Sequence, residues 1–465
     1  MVDLQPWFTH PAITAAASEG VRTRLGISPN HASFRVGVLR THLLTALLAH
    51  RAAQYLGVRT RVAVRWDDSD SLRSRDEYRS RLLQELTRVA QIPVEDEQRV
   101  FRQSQRGDRY QQALQRLDIQ GLLVTRRGLP CFDVTAADRL MNARGVCPKS
   151  LTASVVVNTT TALDPAQETV PLMRSDGRAL WHLATVVDDI EQRTTLIVRG
   201  TDKCDATPAQ VRLYWALAEG GRPPAHLFLS KLLEPGPVVP RVADLLGQGI
   251  RPSTLRHFFA EPYLDQSRPT ARPVGFSELV DQIRTVLPHH GDGLLDEPRL
   301  RSLDRKVSVT LTPEVACQEL DDRCPGASPG VLKWITQHYP RPLLQQVQLC
   351  RALTDTEIEH APPPAQAEEA LWWLDAWSCG TAKCPPPHTV RWVLTGQRDG
   401  PRASELLEVF PPELTAVRLA SARQALSRSS ATRRRSSVRS RPSNSSDSKS
   451  GKPTVRPVTA TRTGA

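Results

Sequence analysis

No stretch of the sequence approaches the ~20 consecutive apolar residues that cross a bilayer, which excludes a helical membrane protein. The opening segment, Met1–Pro6, lacks the charged-then-apolar layout of a secretory signal, so a cytoplasmic location is expected. Of the eight cysteines only Cys379 and Cys384 come near a ligand-like spacing, so reduced thiols are expected and neither a disulfide framework nor a zinc site is. No internal repeat is visible. Acid is nearly missing from the end of the chain: from Arg428 to Ala465 ten Lys and Arg face one carboxylate, Asp447. The formal charge of +12 is therefore concentrated there, and the remaining chain carries only about +3. Ser, Pro, Thr and Arg dominate this tail, which has too little apolar surface to offset its ordering entropy. Residues 428–465 should be a disordered extension, either merely solvated or attracted to RNA phosphates.

What is present suits a globular protein of two or three domains, with 465 residues of which 40% are apolar. Residues 21–41 read as a strand that breaks at Ser28-Pro29 and re-enters as a helix near Gly37. Such a turn aims free backbone N–H groups and a helix N-terminus at one point, where a phosphate can sit. A second strand, Arg61–Val64, leads into Arg65-Trp66-Asp67-Asp68-Ser69-Asp70 and returns acidic groups to the same sheet edge. Helices are expected at 42–57, 76–90, 108–117 and 208–218, with short strands and polar loops over 118–175. From Arg241 onward the pattern is helical with frequent Pro breaks, the best candidates being 241–247, 277–286, 330–338 and 367–377. Pro362–Pro364 and Pro385–Pro387 read as loops or linkers.

In order along the chain, several segments resemble the signatures of the class I glutamyl-tRNA synthetases. Arg24, Ser28, Pro29, Gly37, Arg40 and Thr41 match the first signature; Arg65–Asp70 is similar to Arg-Ile-Glu-Asp-Thr-Asp; Gln103–Arg106 is similar to Gln-Ser-Glu-Arg. Leu172–Gly177, Trp181–Asp189, Val198–Asp202 and a patch at Val393–Gly396 continue the likeness over about residues 20–427. The resemblance implies an α/β fold, a split Rossmann-like doubly wound parallel sheet followed by an all-α anticodon-binding half and the disordered basic tail. It implies a catalytic domain at 20–230 with an acceptor-binding insertion at about 118–175. A helical connecting region at 231–299 and an anticodon-binding domain at 300–427 would follow.

The implied activity is ATP-dependent ligation of glutamate, or a close analogue, to tRNA through an aminoacyl-adenylate, with ATP and Mg2+ as cofactors and no zinc. The partners would be tRNA, first of all a glutamate tRNA, and the protein would act as a monomer. In the family's pocket, Arg24 and Arg199 would hold the amino acid, with Ser28, Asp67, Trp181 and Thr185 lining it. Planar guanidinium groups suit a carboxylate because they bind it bidentately. Asp67, Trp181 and Thr185 stand where the family has Glu, Tyr and often Asn. Both ATP signatures are altered as well. Arg35 occupies the place of the first histidine, with Gly37 retained and His31 a displaced alternative. The lysine loop is about four residues shorter than in relatives, leaving Ser230-Lys231 as its remnant. Arg35 and Lys231 are the catalytic candidates, but Arg35 and His31 equally fit a solvent-facing turn, and Lys231 a plain surface lysine. Rival readings are a catalytically degenerate tRNA-binding protein and a ligase with another amino acid or acceptor.

Overall fold

The computed structural model describes residues 7–16, 20–70, 72–94, 100–158, 164–233, 239–264, 274–283, 293–339, 341–355, 387–397, 400–410 and 414–426. After a short helix α1 (Pro11–Ala16), strands β1 (Val21–Ile27) and β2 (Thr60–Trp66) pair in parallel, with Arg24 opposite Ala63 and Gly26 opposite Arg65. Their connection is α2 (Val36–Leu56), which buries Leu39, Leu43, Leu47 and Ala46 against Leu25, Ile27, Val62 and Val64. It stops at Gly57, whose left-handed φ of 66° lets its N–H reach the carbonyls of Ala53 and Gln54. Helix α3 (Glu77–Gln84) widens into a π turn over Glu85–Val89, and β3 (Phe101–Arg102) then pairs with the end of β2.

Helix α4 (Gly107–Ile119) enters a smaller antiparallel sheet of β4 (Leu123–Arg126), β5 (Leu129–Asp133) and β6 (Thr169–Pro171). Two helices, α5 (Val134–Ala143) and α6 (Pro148–Val155), occupy the stretch expected to hold only strands and loops. Asp133 caps α5 by accepting the Ala136 N–H at 2.8 Å, and Pro148 sits in the first turn of α6, where its missing N–H costs nothing. The Val155–Val157 run closes α6, with only Val156 bridging to a strand residue, His226. Burial of Val155 overrides the β-propensity of that run.

Helix α7 (Trp181–Glu191) leads to β7 (Leu196–Gly200), and α8 (Thr207–Leu217) leads to β8 (Ala225–Leu229), parallel to β7. The two strand pairs meet between β1 and β7, where the Thr195 N–H donates to the Arg22 carbonyl at 2.9 Å and the Arg22 N–H to Thr195 Oγ1 at 2.8 Å. The spatial order is thus β3-β2-β1-β7-β8, with α2 on one face and α7 and α8 on the other. This is the expected split doubly wound sheet. Its order reverses between β1 and β7, and ligands of such sheets bind beyond the strand C-termini at that switch point.

Leu232–Leu233 (β9) and Gly293–Leu294 (β10) form a minimal parallel pair. The rest of this unit is helical: α9 (Val242–Gly247), α10 (Pro252–Ala260), α11 (Phe276–Gln282), α12 (Glu297–Ser308), α13 (Pro313–Asp321), α14 (Pro329–His338) and α15 (Leu343–Thr354). The chain divides into two compact units at Cys350/Arg351. In the second, Pro387–Thr395, Ala403–Val409 and residues 414–426 are helical, and Trp392 and Val393 pack with Leu419 and Ala422. Pro387 opens a helix, contrary to its reading as linker, because a first-turn proline is tolerated there. The expected helix at 367–377, Pro362–Pro364, Pro385, Pro386, Cys379, Cys384 and the tail from Arg428 lie outside the described residues. Among the described residues no helix is long and apolar enough to cross a membrane.

Candidate active site at the sheet switch point

Beyond the end of β1 two chemically different regions adjoin. On the β2 side, Arg65 is 1% exposed and faces three carboxylates: Asp67 at 2.6 Å, Asp189 at 3.3 Å and Asp188 at 3.7 Å. Arg24, from the middle of β1, pairs with Asp189 at 2.9 Å, and Arg106 pairs with Asp188 at 2.7 Å. Asp188 also accepts from Gln103 Nε2 at 2.9 Å and the Tyr110 hydroxyl at 3.1 Å. Burial by itself would lower Arg65, but Asp67, Asp189 and Asp188 overcome it and raise its pKa. Burial raises the Asp188 carboxyl, with Arg65, Gln103 and Arg106 opposing. Asp68 ties the same turn to the next motif, accepting from Arg79 at 2.6 Å and from the Ser104 N–H and hydroxyl at 2.8 and 2.9 Å. Gly26 is what lets this turn fold back over β1, since a Cβ there would stand 2.6 Å from Asp67 Oδ2 and 3.2 Å from Arg65 Nη2.

On the other side, Arg199 ends β7 with 7% exposure and only neutral partners: Gln210 Oε1 at 2.6 Å, Thr207 Oγ1 at 2.5 Å and His226 Nδ1 at 3.3 Å. Among the described residues no carboxylate lies within ion-pair distance, and Nε is buried without a hydrogen-bond partner. Burial, and then the charge of Arg24, pull this guanidinium down to about 9. A buried cation without a counter-charge is costly, and an incoming anion relieves that cost. Three further polar atoms on adjoining elements are likewise buried and unpartnered: His182 Nδ1, Thr185 Oγ1 and Gln210 Nε2. Burial, then Arg199 and Lys203, lower His182 to about 4, so it is neutral at pH 7. Trp181 is half-buried, with Lys203 Nζ 5.6 Å from its ring centroid.

Next to the end of β1 opens a cleft of about 780 Å³, lined by residues that include Gly26, Ser28, His31, Arg35, Arg73, Arg75 and Arg241. Its described lining holds four arginines and a histidine and no acid. Arg35 is the N-cap residue of α2, in extended conformation and exposed. Gly37, one turn into the same helix, accepts the Thr41 hydroxyl on its carbonyl. Lys231 is exposed and is not among the lining residues. It is near enough to Asp202 to act on it: partial burial raises that carboxyl, and Lys203 and Lys231 outweigh it to hold it below its ordinary value.

No family model matches the chain. Among curated proteins it is 27% identical over 420 residues to the glutamate–tRNA ligase 2 of Acidiphilium cryptum, covering 77% of this chain and 90% of the relative. It is 25% identical over 464 residues to the glutamate–tRNA ligase 2 of Erythrobacter litoralis, covering 86% and 98%. Among solved structures, the glutamate tRNA ligase of Elizabethkingia meningosepticum, crystallised with its amino acid, superposes with a TM-score of 0.54 at 15% identity, over 86% of this chain and 99% of that one. The chain is a divergent relative of the class I glutamyl-tRNA synthetases. As such it has an aminoacyl-tRNA synthetase-like framework, on which the family's signature positions fall into two groups. Arg24, Asp67, Thr185 and Arg199 gather around the inner ends of β1, β2, α7 and β7, while Ser28, His31 and Arg35 line the open cleft.

The sequence did not single out Asp188 and Asp189 as site residues, although their motif was visible; nor did it single out Arg241. The family's use of Mg2+ finds no cage of protein donors: among the described residues no three His, Cys, Asp or Glu side chains converge to hold a metal. The acid-free cleft fits a magnesium ion only if it arrives on the nucleotide's own phosphates.

Proposed function

We propose that the chain activates glutamate, or a close dicarboxylate analogue, with ATP and transfers it to a tRNA, first of all a glutamate tRNA, in the cytoplasm and as a monomer. The observation that carries this reading is Arg199: a buried guanidinium with no carboxylate partner and an unpartnered Nε, ringed by neutral donors. A substrate side-chain carboxylate supplies the missing charge. Thr185 and His182 offer further buried polar atoms to the same ligand, and Trp181 closes it from one side. Asp67 meets the α-amine, and Arg24, held by Asp189, fixes the near edge of the pocket.

Neither half-reaction needs a covalent enzyme intermediate. The protein aligns a carboxylate with the α-phosphate of ATP and offsets the charge that grows on phosphorus, so positioning and cationic donors supply the catalysis. Arg35, His31 and Ser28 surround the nucleotide, and Gly37 keeps the first turn of the helix close to it. In this reading residues 20–230 catalyse, the insertion at about 118–175 receives the acceptor end, residues 231–299 connect, and residues 300–427 bind the anticodon stem. The basic tail adds non-specific RNA affinity.

The test is charging of total tRNA by the purified protein with each labelled amino acid, followed by sequencing of the charged pool. Glutamate on one isoacceptor supports the reading; Arg199→Ala binding glutamate as tightly as the parent, by calorimetry, would falsify the pocket. A second reading, a tRNA-binding protein without adenylation, is favoured by one observation: Lys231 does not line the cleft. Pyrophosphate exchange absent in the presence of tRNA and glutamate, with tRNA binding intact, selects it.

A further inference from the structure

The cleft contains a cation that no sequence signature marked. Arg241 follows the shortened loop and precedes α9, and it is stitched to the turn that opens α2. The Val36 N–H donates to the Pro240 carbonyl at 3.3 Å and the Val242 N–H to the Phe34 carbonyl at 3.0 Å, while Arg35 and Arg241 form an antiparallel bridge. The Ala243 N–H donates to Ser33 Oγ at 3.0 Å, and Arg241 Nη1 itself donates to the Ser33 carbonyl at 2.7 Å. The backbone N–H of Arg241 is taken by Asp244 at 2.9 Å. On the far side, the same turn is held by Glu85, which accepts the Phe34 N–H at 2.8 Å. The guanidinium therefore sits on a fixed frame at the cleft wall beside Arg35 and His31.

Among the described residues, no carboxylate lies within ion-pair distance of the Arg241 guanidinium, and none lines the cleft. The other lining arginines are differently committed: Arg73 faces Asp70 at 3.7 Å, and Arg75 Nη1 donates to the carbonyls of Leu72 and Ser74. Two arginines from opposite edges of one acid-free cleft, both fixed by backbone, make a site for a polyanion rather than for a single carboxylate.

Resting on the reading of the cleft as the nucleotide site, we propose that Arg241 is the principal triphosphate-binding cation of this chain, gripping the β- and γ-phosphates of ATP opposite Arg35 in place of a mobile lysine. A pre-fixed guanidinium loses little freedom on binding, whereas a lysine on a loop must be ordered first. Lys231 is dispensable for this grip.

The decisive variant is Arg241→Gln, which keeps a donor toward the Ser33 carbonyl while removing the charge, with Arg241→Lys and Lys231→Ala beside it. Calorimetry with ATP and with adenosine separates phosphate contacts from nucleoside contacts. Arg241→Gln should bind ATP about 10- to 100-fold more weakly with adenosine affinity unchanged, Arg241→Lys should recover part of the loss, and Lys231→Ala should match the parent. Unchanged ATP affinity in Arg241→Gln overturns the proposal; so does equal weakening of ATP and adenosine, which makes the residue purely architectural. A loss of ATP affinity in Lys231→Ala as large as in Arg241→Gln overturns the replacement. If the parent shows selective, Arg241-dependent ATP binding yet no tRNA-dependent pyrophosphate exchange, the grip stands and the ligase reading falls. A parent that binds no ATP removes both.

Discussion

Arg65 and Arg199 end strands on either side of β1, and both are nearly inaccessible to solvent, yet their surroundings are opposite. Around Arg65 the protein balances its own charge: Arg24, Arg65 and Arg106 interleave with Asp67, Asp188 and Asp189. Around Arg199 stand Thr207, Gln210 and His226, all neutral, and polar atoms remain unpartnered. The first region is complete without a ligand and serves as frame. The second is incomplete until a negative charge enters. Burial alone therefore does not say whether an arginine is structural; the identity of its partners does.

The largest expected effect breaks the frame. Arg65→Met strands Asp67, Asp188 and Asp189 without their shared cation and should destabilise the fold by about 3–5 kcal/mol. Arg199→Met strands no carboxylate and should shift stability by only about 1 kcal/mol, while abolishing glutamate binding. Urea unfolding of both variants tests this; equal losses would erase the distinction between the two regions.

Each region also holds a buried neutral histidine. His42, near Asp67 and Arg24, is lowered to about 4 chiefly by burial, as is His182 near Arg199. Both folded values lie below the ordinary 6.5, so the unfolded chain takes up the proton first as pH falls. Stability is accordingly full above about pH 6.5 and declines as pH drops toward about 4, by about 3 kcal/mol for His42. His42→Leu should flatten that decline, seen as a smaller difference between urea midpoints at pH 7 and pH 4.5. Glutamate binding should raise His182, by placing a carboxylate beside it, and leave His42 where it is. A histidine NMR titration in which both move together, or neither moves, counts against the pocket.

A smaller effect is expected from Gly26→Ala. The added methyl displaces Asp67 from Arg65, costing about 1–3 kcal/mol and weakening amino-acid binding more than ATP binding. Comparison of the two affinities in the variant decides it. Smallest of all, removal of residues after Ser427 should leave the unfolding midpoint unchanged and make the dependence of RNA affinity on salt shallower.

Much of this was legible in the sequence because it is local. The strand, turn and helix of residues 21–56 follow from periodicity and from the Ser28-Pro29 break, and the ordered signatures led to Arg24, Asp67 and Arg199. The helices at 134–143 and 148–155 escaped notice because short amphipathic segments with a valine-rich end read equally well as strands. What the sequence could not determine is which charges meet. Asp189 lies 165 residues from Arg24 and 124 from Arg65, and Arg241 lies 208 residues from Ser33, whose carbonyl fixes it. Backbone preference and side-chain spacing act over a few residues, so they settle elements and the motifs on them. Whether a buried arginine is neutralised depends on which strand ends and loops the folded sheet brings within a few ångströms, and only the tertiary structure decided that Arg65 is satisfied, Arg199 is not, and Arg241 stands beside Arg35.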